Sequence, residues 1–197
     1  MNLSRSAAAA TAVAFFFVAG AASAADAEAG RQKAAACAAC HGEGGNSTNP
    51  AWPSLAQQPA QFVATALYQF RAGNRKDALM TPMAKPLSNA EMNDLAAYFA
   101  AQTAAPPQHK TSAENAKEGP GLAQKFNCSQ CHARNLMGQQ HIPRLAGQQF
   151  EYLRTQLSLF KAQKRADIDG NMTSAAQLLS DQDVEVLADY LAGLAPR

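Results

Sequence analysis

The sequence predicts an all-α protein built as two similar halves, on three observations: its composition, an internal repeat, and helix signals that recur in both halves. Alanine accounts for 45 of 197 residues, whereas Val and Ile together number seven, too few β-branched side chains for extensive sheet. Charged residues make up 16% and the formal net charge is +2, so neither a long solvated tail nor a nucleic-acid-binding surface is expected. The second half lies on the first at offsets that drift only from 90 to 92. Gly30 meets Gly121, Cys37-Cys40-His41 meets Cys128-Cys131-His132, and Pro53-x-Leu55-Ala56 meets Pro143-x-Leu145-Ala146. Leu67, Phe70, Arg75, Met80 and Tyr98 meet Leu157, Phe160, Arg165, Met172 and Tyr190.

In chain order, Arg5 is followed by an uncharged run from Ser6 to Ala25, apolar at Ala12 to Val18 and ending in the small residues Ala22-Ser23-Ala24. This is the pattern of a secretory leader over residues 1–24, cleaved on export. An uncleaved membrane anchor is the competing reading, disfavoured because alanine contributes little to insertion. Export most simply means a bacterial periplasm, where thiols are oxidised. The first half spans 25–104, a Pro-rich polar linker 105–115, and the second half 116–197. No helix can run through Ala105-Pro106-Pro107. His109 in this linker and His141 in a later polar loop are expected to be solvated.

Each half reads as three helices. The first leads into the Cys pair, from Asp26 or from Glu118. The second covers about Ala60 to Ala72, with its counterpart from Gln149 to Gln163. Apolar residues at helical spacing, such as Phe62, Ala66 and Phe70 or Leu153, Leu157 and Phe160, give each one buried face. The third opens with Ser88-x-x-Glu91 or Ser180-x-x-Asp183, an N-cap serine with a carboxylate three residues on. A half of about eighty residues with long Gly-, Pro- and Asn-rich connections is short of core. Another group must fill its centre.

Cys37-Ala38-Ala39-Cys40-His41 and Cys128-Ser129-Gln130-Cys131-His132 have the spacing for covalent c-type haem attachment, each thiol forming a thioether with one vinyl group and the histidine reaching the iron. Disulfides or a redox dithiol would not require His immediately after each pair, and a thioredoxin-like site also needs a βαβ context. A zinc site needs ligands closer together than the two pairs are along the chain. Two haem c groups therefore supply the missing core. The sixth iron ligand decides the chemistry, because an open iron binds oxygen or peroxide whereas one closed by a thioether only passes electrons. Met80 and Met172 precede the Leu-Ser cap of the third helix by the same interval, whereas Met83 maps onto Ala175 and Met137 lies too near His132. Apolar gap-filling is the alternative role for any methionine. Pro53 and Pro143, twelve and eleven residues after their histidines, can each offer a backbone carbonyl to the second imidazole N–H, or else merely shape a turn. Arg71, Arg75, Lys161 and Arg165 read as helix-end cations, with pairing to haem propionates as the alternative.

The chain from residue 25 onward resembles the dihaem cytochrome c4 family, two class I cytochrome c folds in tandem. The resemblance is carried by Ala29-Gly30, Cys37 to Gly42, Gly45-Asn46-Ser47, Trp52 to Ala56, Phe70 to Arg75, Met80-Thr81-Pro82-Met83, Leu95 to Phe99, Pro143 to Gln148, Met172 and Tyr190 to Leu194. It implies His/Met-ligated low-spin haems with propionate edges toward the domain interface. It also implies one-electron delivery between a quinol:cytochrome c reductase or periplasmic dehydrogenase and a terminal oxidase. Gln57 stands where the family commonly has Gly, Ala133 replaces Gly after the second histidine, and the Asn135-Leu136-Met137-Gly138 loop departs from the pattern. Three roles compete: a diffusible or peripherally membrane-bound electron carrier, a subunit docked on a sulfide- or other substrate-oxidising dehydrogenase, and a dihaem peroxidase. Near-neutral charge in both halves offers no strong steering field, so docking is expected to be weak and transient.

Overall fold

The structure, a computed structural model, describes residues 25–197; the expected leader lies outside them. Nine α-helices are present among the described residues: α1 Ala27–His41, α2 Ala60–Ala72, α3 Met80–Ala84, α4 Asn89–Ala101, α5 Asn115–Lys125, α6 Cys128–His132, α7 Phe150–Lys161, α8 Asn171–Ala176 and α9 Asp181–Gly193. The only β pairing among them is an isolated bridge between Gln139 and Ile142. The three long helices expected in each half are present, joined by short helices that carry the methionines. Both serine caps form complete capping boxes, Ser88 with Glu91 and Ser180 with Asp183. These satisfy backbone donors that a helix start leaves orphaned.

In the first half α1 runs unbroken through Cys37 and Cys40 into His41. In the second, α5 stops at Lys125, Asn127 takes a left-handed turn (φ 53°), and α6 restarts at Cys128. This break shifts the repeat register. Gly30 lies against α4, where a Cβ would stand 2.0 Å from the Asp94 carbonyl and 2.9 Å from Tyr98. Its counterpart is Gly119, where a Cβ would stand 2.3 Å from the Tyr190 ring; Gly121, the partner expected from the alignment, has open space around it.

The two cores are unequal. In the second half, Leu122, Leu136, Leu153, Leu157, Phe160, Val184, Leu187 and Leu191 belong to one buried cluster. The matching cluster of the first half is confined to Ala34, Val63, Leu95, Ala96 and Phe99.

The loop after each histidine explains two of the sequence departures. The first half has Gly42, Gly44 and Gly45 at positive φ, and the second half has Ala133, Asn135 and Leu136 in the same places. Ala133, at φ 62° and ψ 174°, occupies a region that is essentially glycine territory and costs about 1–3 kcal/mol for a residue with a Cβ. Leu136 offsets this by filling the core, 6% exposed. Gln57 likewise sits at φ 57° where Gly147 has 64°. Ala133→Gly is expected to stabilise the protein by about 1 kcal/mol, the relief of strain exceeding the extra chain entropy of glycine. Denaturant unfolding checks this, and an unchanged or lowered midpoint would contradict the strain.

His109 in the linker is not solvated as expected. Gln108 donates to the Ser47 carbonyl at 2.9 Å, and His109 pairs with Asp189 of α9 while its ring stacks on Phe150, centroids 4.8 Å apart. His109 is therefore half-buried, because an extended segment must place its polar groups against the helices it crosses. His141 is likewise half-buried rather than solvated, pairing with Asp169 at 3.1 Å.

Candidate haem-binding sites

His41 ends α1 and His132 ends α6, and both are buried, 7% and 6% exposed. In each ring Nδ1 lies 2.8 Å from a proline carbonyl, Pro53 for His41 and Pro143 for His132. A carbonyl can only accept, so the proton sits on Nδ1. Nε2 is left with its lone pair and no hydrogen-bond partner among the described residues. Burial pushes both imidazoles below their ordinary pKa against the opposing effect of the proline carbonyl. The result is a neutral ring held in one orientation, the form a metal requires.

None of the four cysteines is paired in a disulfide. Burial pushes Cys37 and Cys128 up in pKa. Cys37 packs against the first core cluster beside Leu67 and Leu87, and Cys128 packs against the second core cluster, as does Met172.

Met80 opens α3 and Met172 is the second residue of α8. Each turn is pinned by an aspartate that sequence reasoning missed. Asp77 accepts from the Met80 N–H at 2.8 Å, and Asp167 accepts from the Met172 and Thr173 N–H groups, both at 2.9 Å. The two aspartates occupy equivalent repeat positions, which was the available signal. In the first half, Cys37, Leu67, Met80, Leu87 and Leu95 line one cavity of about 230 Å³, predominantly apolar. Met83 also lines it but is 50% exposed.

Between the halves the contacts are polar and reciprocal. Gln58 and Gln148, at equivalent positions, each grip the backbone of the residue after the other half's proline: Gln58 that of Arg144, and Gln148 that of Ser54. Arg144 is 1% exposed, and burial pulls its pKa down to about 10. Its guanidinium donates to the carbonyls of Ala146 and Ala56, while its Nε has no partner. Arg75 and Arg165 converge on Gln156, each stacked over the phenylalanine five residues before it, Phe70 and Phe160, at 4.4 and 4.3 Å. Arg75 also donates to Tyr152 Oη at 3.0 Å. The Nε of Arg165 is likewise buried and unpartnered. Arg71 and Lys161 lie elsewhere, Arg71 on the Leu87 carbonyl and Asn89, Lys161 on Asp181.

This donor set fits haem c. Cys37 and Cys128 stand one helical turn before a histidine whose Nε2 is bare, an apolar cleft with a thioether lies beside Cys37, and the buried Arg144 and half-buried Arg165 hydrogen-bond to no carboxylate, which suits an anionic edge.

Comparison with known proteins agrees. The family described as "Cytochrome c" matches twice, over residues 27–102 and 116–195. Cytochrome c4 of Thiocapsa roseopersicina is 38% identical over 180 residues, covering 85% of this chain and 92% of the relative. A thiosulfate dehydrogenase electron acceptor of Thiomonas intermedia is 35% identical, covering 81% of this chain and 79% of the relative. The crystal structure of reduced recombinant cytochrome c4 from Pseudomonas stutzeri superposes with a TM-score of 0.80 at 36% identity, covering 87% of this chain and all of that one. The chain thus belongs to the cytochrome c family, as a dihaem cytochrome c4-type protein with two tandem domains and two covalently bound haem c groups.

Proposed function

We propose that the protein is an exported, periplasmic electron carrier in which Cys37 and Cys40, and Cys128 and Cys131, hold the two haems by thioether bonds. His41 and His132 would ligate the irons, with Met80 and Met172 as the thioether ligands that would close the coordination sphere, and the Pro53 and Pro143 carbonyls hold the imidazoles. The observation that supports this reading most directly is the repeated histidine geometry: Nδ1 bonded at 2.8 Å in both halves, Nε2 unpartnered. When bound, a haem iron supplies a one-electron couple, and a closed coordination sphere restricts it to electron transfer. The protein's own contribution is to fix each imidazole, bury the ring in an apolar cleft and hold the methionine turns through Asp77 and Asp167. Its partners are redox proteins, a quinol:cytochrome c reductase or periplasmic dehydrogenase as donor and a terminal oxidase as acceptor, met at the membrane surface or in solution.

A second reading, a subunit docked on a dehydrogenase, is favoured by the thiosulfate dehydrogenase electron acceptor among the relatives. Persistent co-purification with a catalytic partner at high salt would support it over the free carrier. Mass spectrometry and a visible spectrum of protein matured with haem test the ligand set. Two haems per chain, low-spin bands and the weak near-infrared thioether-to-iron band are expected, and Met80→Ala should remove half of that band. Peroxide-reactive, high-spin iron in the wild type would overturn the carrier reading in favour of a peroxidase.

A further inference from the structure

The carbonyl that accepts from His41 Nδ1 belongs to the same peptide unit as the Ser54 N–H. That N–H donates to Gln148 Oε1 at 2.7 Å, and Gln148 Nε2 returns a bond to the Ser54 carbonyl at 2.9 Å. Gln148 lies in the opposite half, where its Oε1 also accepts from the Gln149 N–H at 2.9 Å. The pattern is repeated with the halves exchanged. The peptide that accepts from His132 donates its Arg144 N–H to Gln58 Oε1 at 2.9 Å, and Gln58 Nε2 donates to the Arg144 carbonyl at 3.1 Å. Both glutamines are buried, 2% and 4% exposed, so water does not compete for these bonds.

We propose that Gln58 and Gln148 are positioning residues that act through these peptides on the histidine of the opposite half, so that each haem's reduction potential is set in part across the domain interface. The inference rests on His41 and His132 as the iron ligands. A peptide is one resonance unit. An acceptor on its N–H shifts electron density to its carbonyl oxygen, and bonds in such a chain strengthen one another by about 10–30% each. A stronger carbonyl acceptor draws the Nδ1 proton outward and makes Nε2 a better donor. A better donor favours oxidised iron and lowers the potential. A clasp that only held the halves together would have no reason to place its amides on these two peptides in both copies.

The test is a redox titration of the haem-loaded protein, each haem followed separately through its paramagnetically shifted methyl resonances. Gln148→Leu is expected to raise the potential of the N-terminal haem, increasing its reduced-to-oxidised ratio two- to fourfold at fixed solution potential, about 18–36 mV for a one-electron couple. The C-terminal haem should stay unchanged. Gln58→Leu is expected to do the reverse, moving the C-terminal haem alone. Gln148→Glu keeps an acceptor oxygen for the Ser54 amide and should leave the N-terminal haem at or below its wild-type potential. If a leucine variant loses its cooperative fold, the sign in the glutamate variant decides: a rise overturns the proposal. A shift confined to the haem of the substituted half, an equal shift of both, or none at all also overturns it, with wild-type optical bands showing the ligands intact. Wild-type protein lacking His/Met low-spin bands would instead remove the ligand assignment, and the proposal with it.

Discussion

Replacing Cys37 and Cys40 with alanine is expected to abolish cooperative folding of the N-terminal half while the C-terminal half retains its haem and its transition. The reason is the unequal pair of cores. The first half clusters only Ala34, Val63, Leu95, Ala96 and Phe99, with Phe70 and Met92 buried outside that cluster, around an apolar cavity of about 230 Å³. A hydrophobic core in a domain of this size supplies roughly 3–5 kcal/mol, and without haem the apolar cleft lined by Leu67, Leu87 and Leu95 stays open to water and adds nothing to it. The second half has Leu136, Leu153, Leu157, Leu187 and Leu191 in one cluster, so Cys128→Ala with Cys131→Ala should leave a destabilised but cooperative domain. Differential scanning calorimetry of the two double variants, with haem content read by mass spectrometry, distinguishes them. Equal losses in both would refute the dependence on core size.

Asp189→Ala is expected to cost about 3 kcal/mol, at the upper end for leaving buried hydrogen-bond donors unsatisfied, and to lower Tm by about 6–12 °C for a chain of this length. The carboxylate is 7% exposed. It accepts from His109 Nε2, from Ser112 N and Oγ at 3.1 and 3.0 Å, and from Asn115 Nδ2 at 2.6 Å. Its main-chain carbonyl takes a further bond from Thr111 at 3.0 Å. Burial alone would raise its pKa, but the donors from His109, Asn115 and Ser112 together outweigh burial and hold it below the usual carboxylate value. The stabilisation is therefore complete above the unfolded carboxylate pKa of about 4 and is lost as the pH falls through the depressed folded value. Melting curves of wild type and variant should differ most at neutral pH and converge only as the pH falls below the depressed folded value. A difference that did not change with pH would mean that packing, not the carboxylate, secures the linker.

The haem motifs were legible in the sequence because covalent attachment fixes residue type and spacing locally, and a second copy in register removed coincidence. The long helices were legible for a similar reason: Ser88 and Ser180 cap their own helices, and the apolar spacing of α2 and α7 is a property of consecutive residues. His109 was misjudged because its partner, Asp189, lies 80 residues away, and nothing local distinguishes a pinned polar linker from a solvated one. The Gly30 counterpart was misplaced because the Asn127 turn shifts α5 relative to the repeat, and only contact with Tyr190 identifies Gly119.

The sequence by itself determined that this chain is helical, duplicated and built to hold two haems, since those properties reside in short-range periodicity and in motif chemistry. The tertiary structure alone decided that Gln58 and Gln148 reach across the interface to the peptides behind the histidines, and that Arg144 is buried between the halves without a carboxylate. Hydrogen bonds and desolvation depend on which groups meet in space, and residues some ninety positions apart acquire neighbours only when both halves are folded and docked.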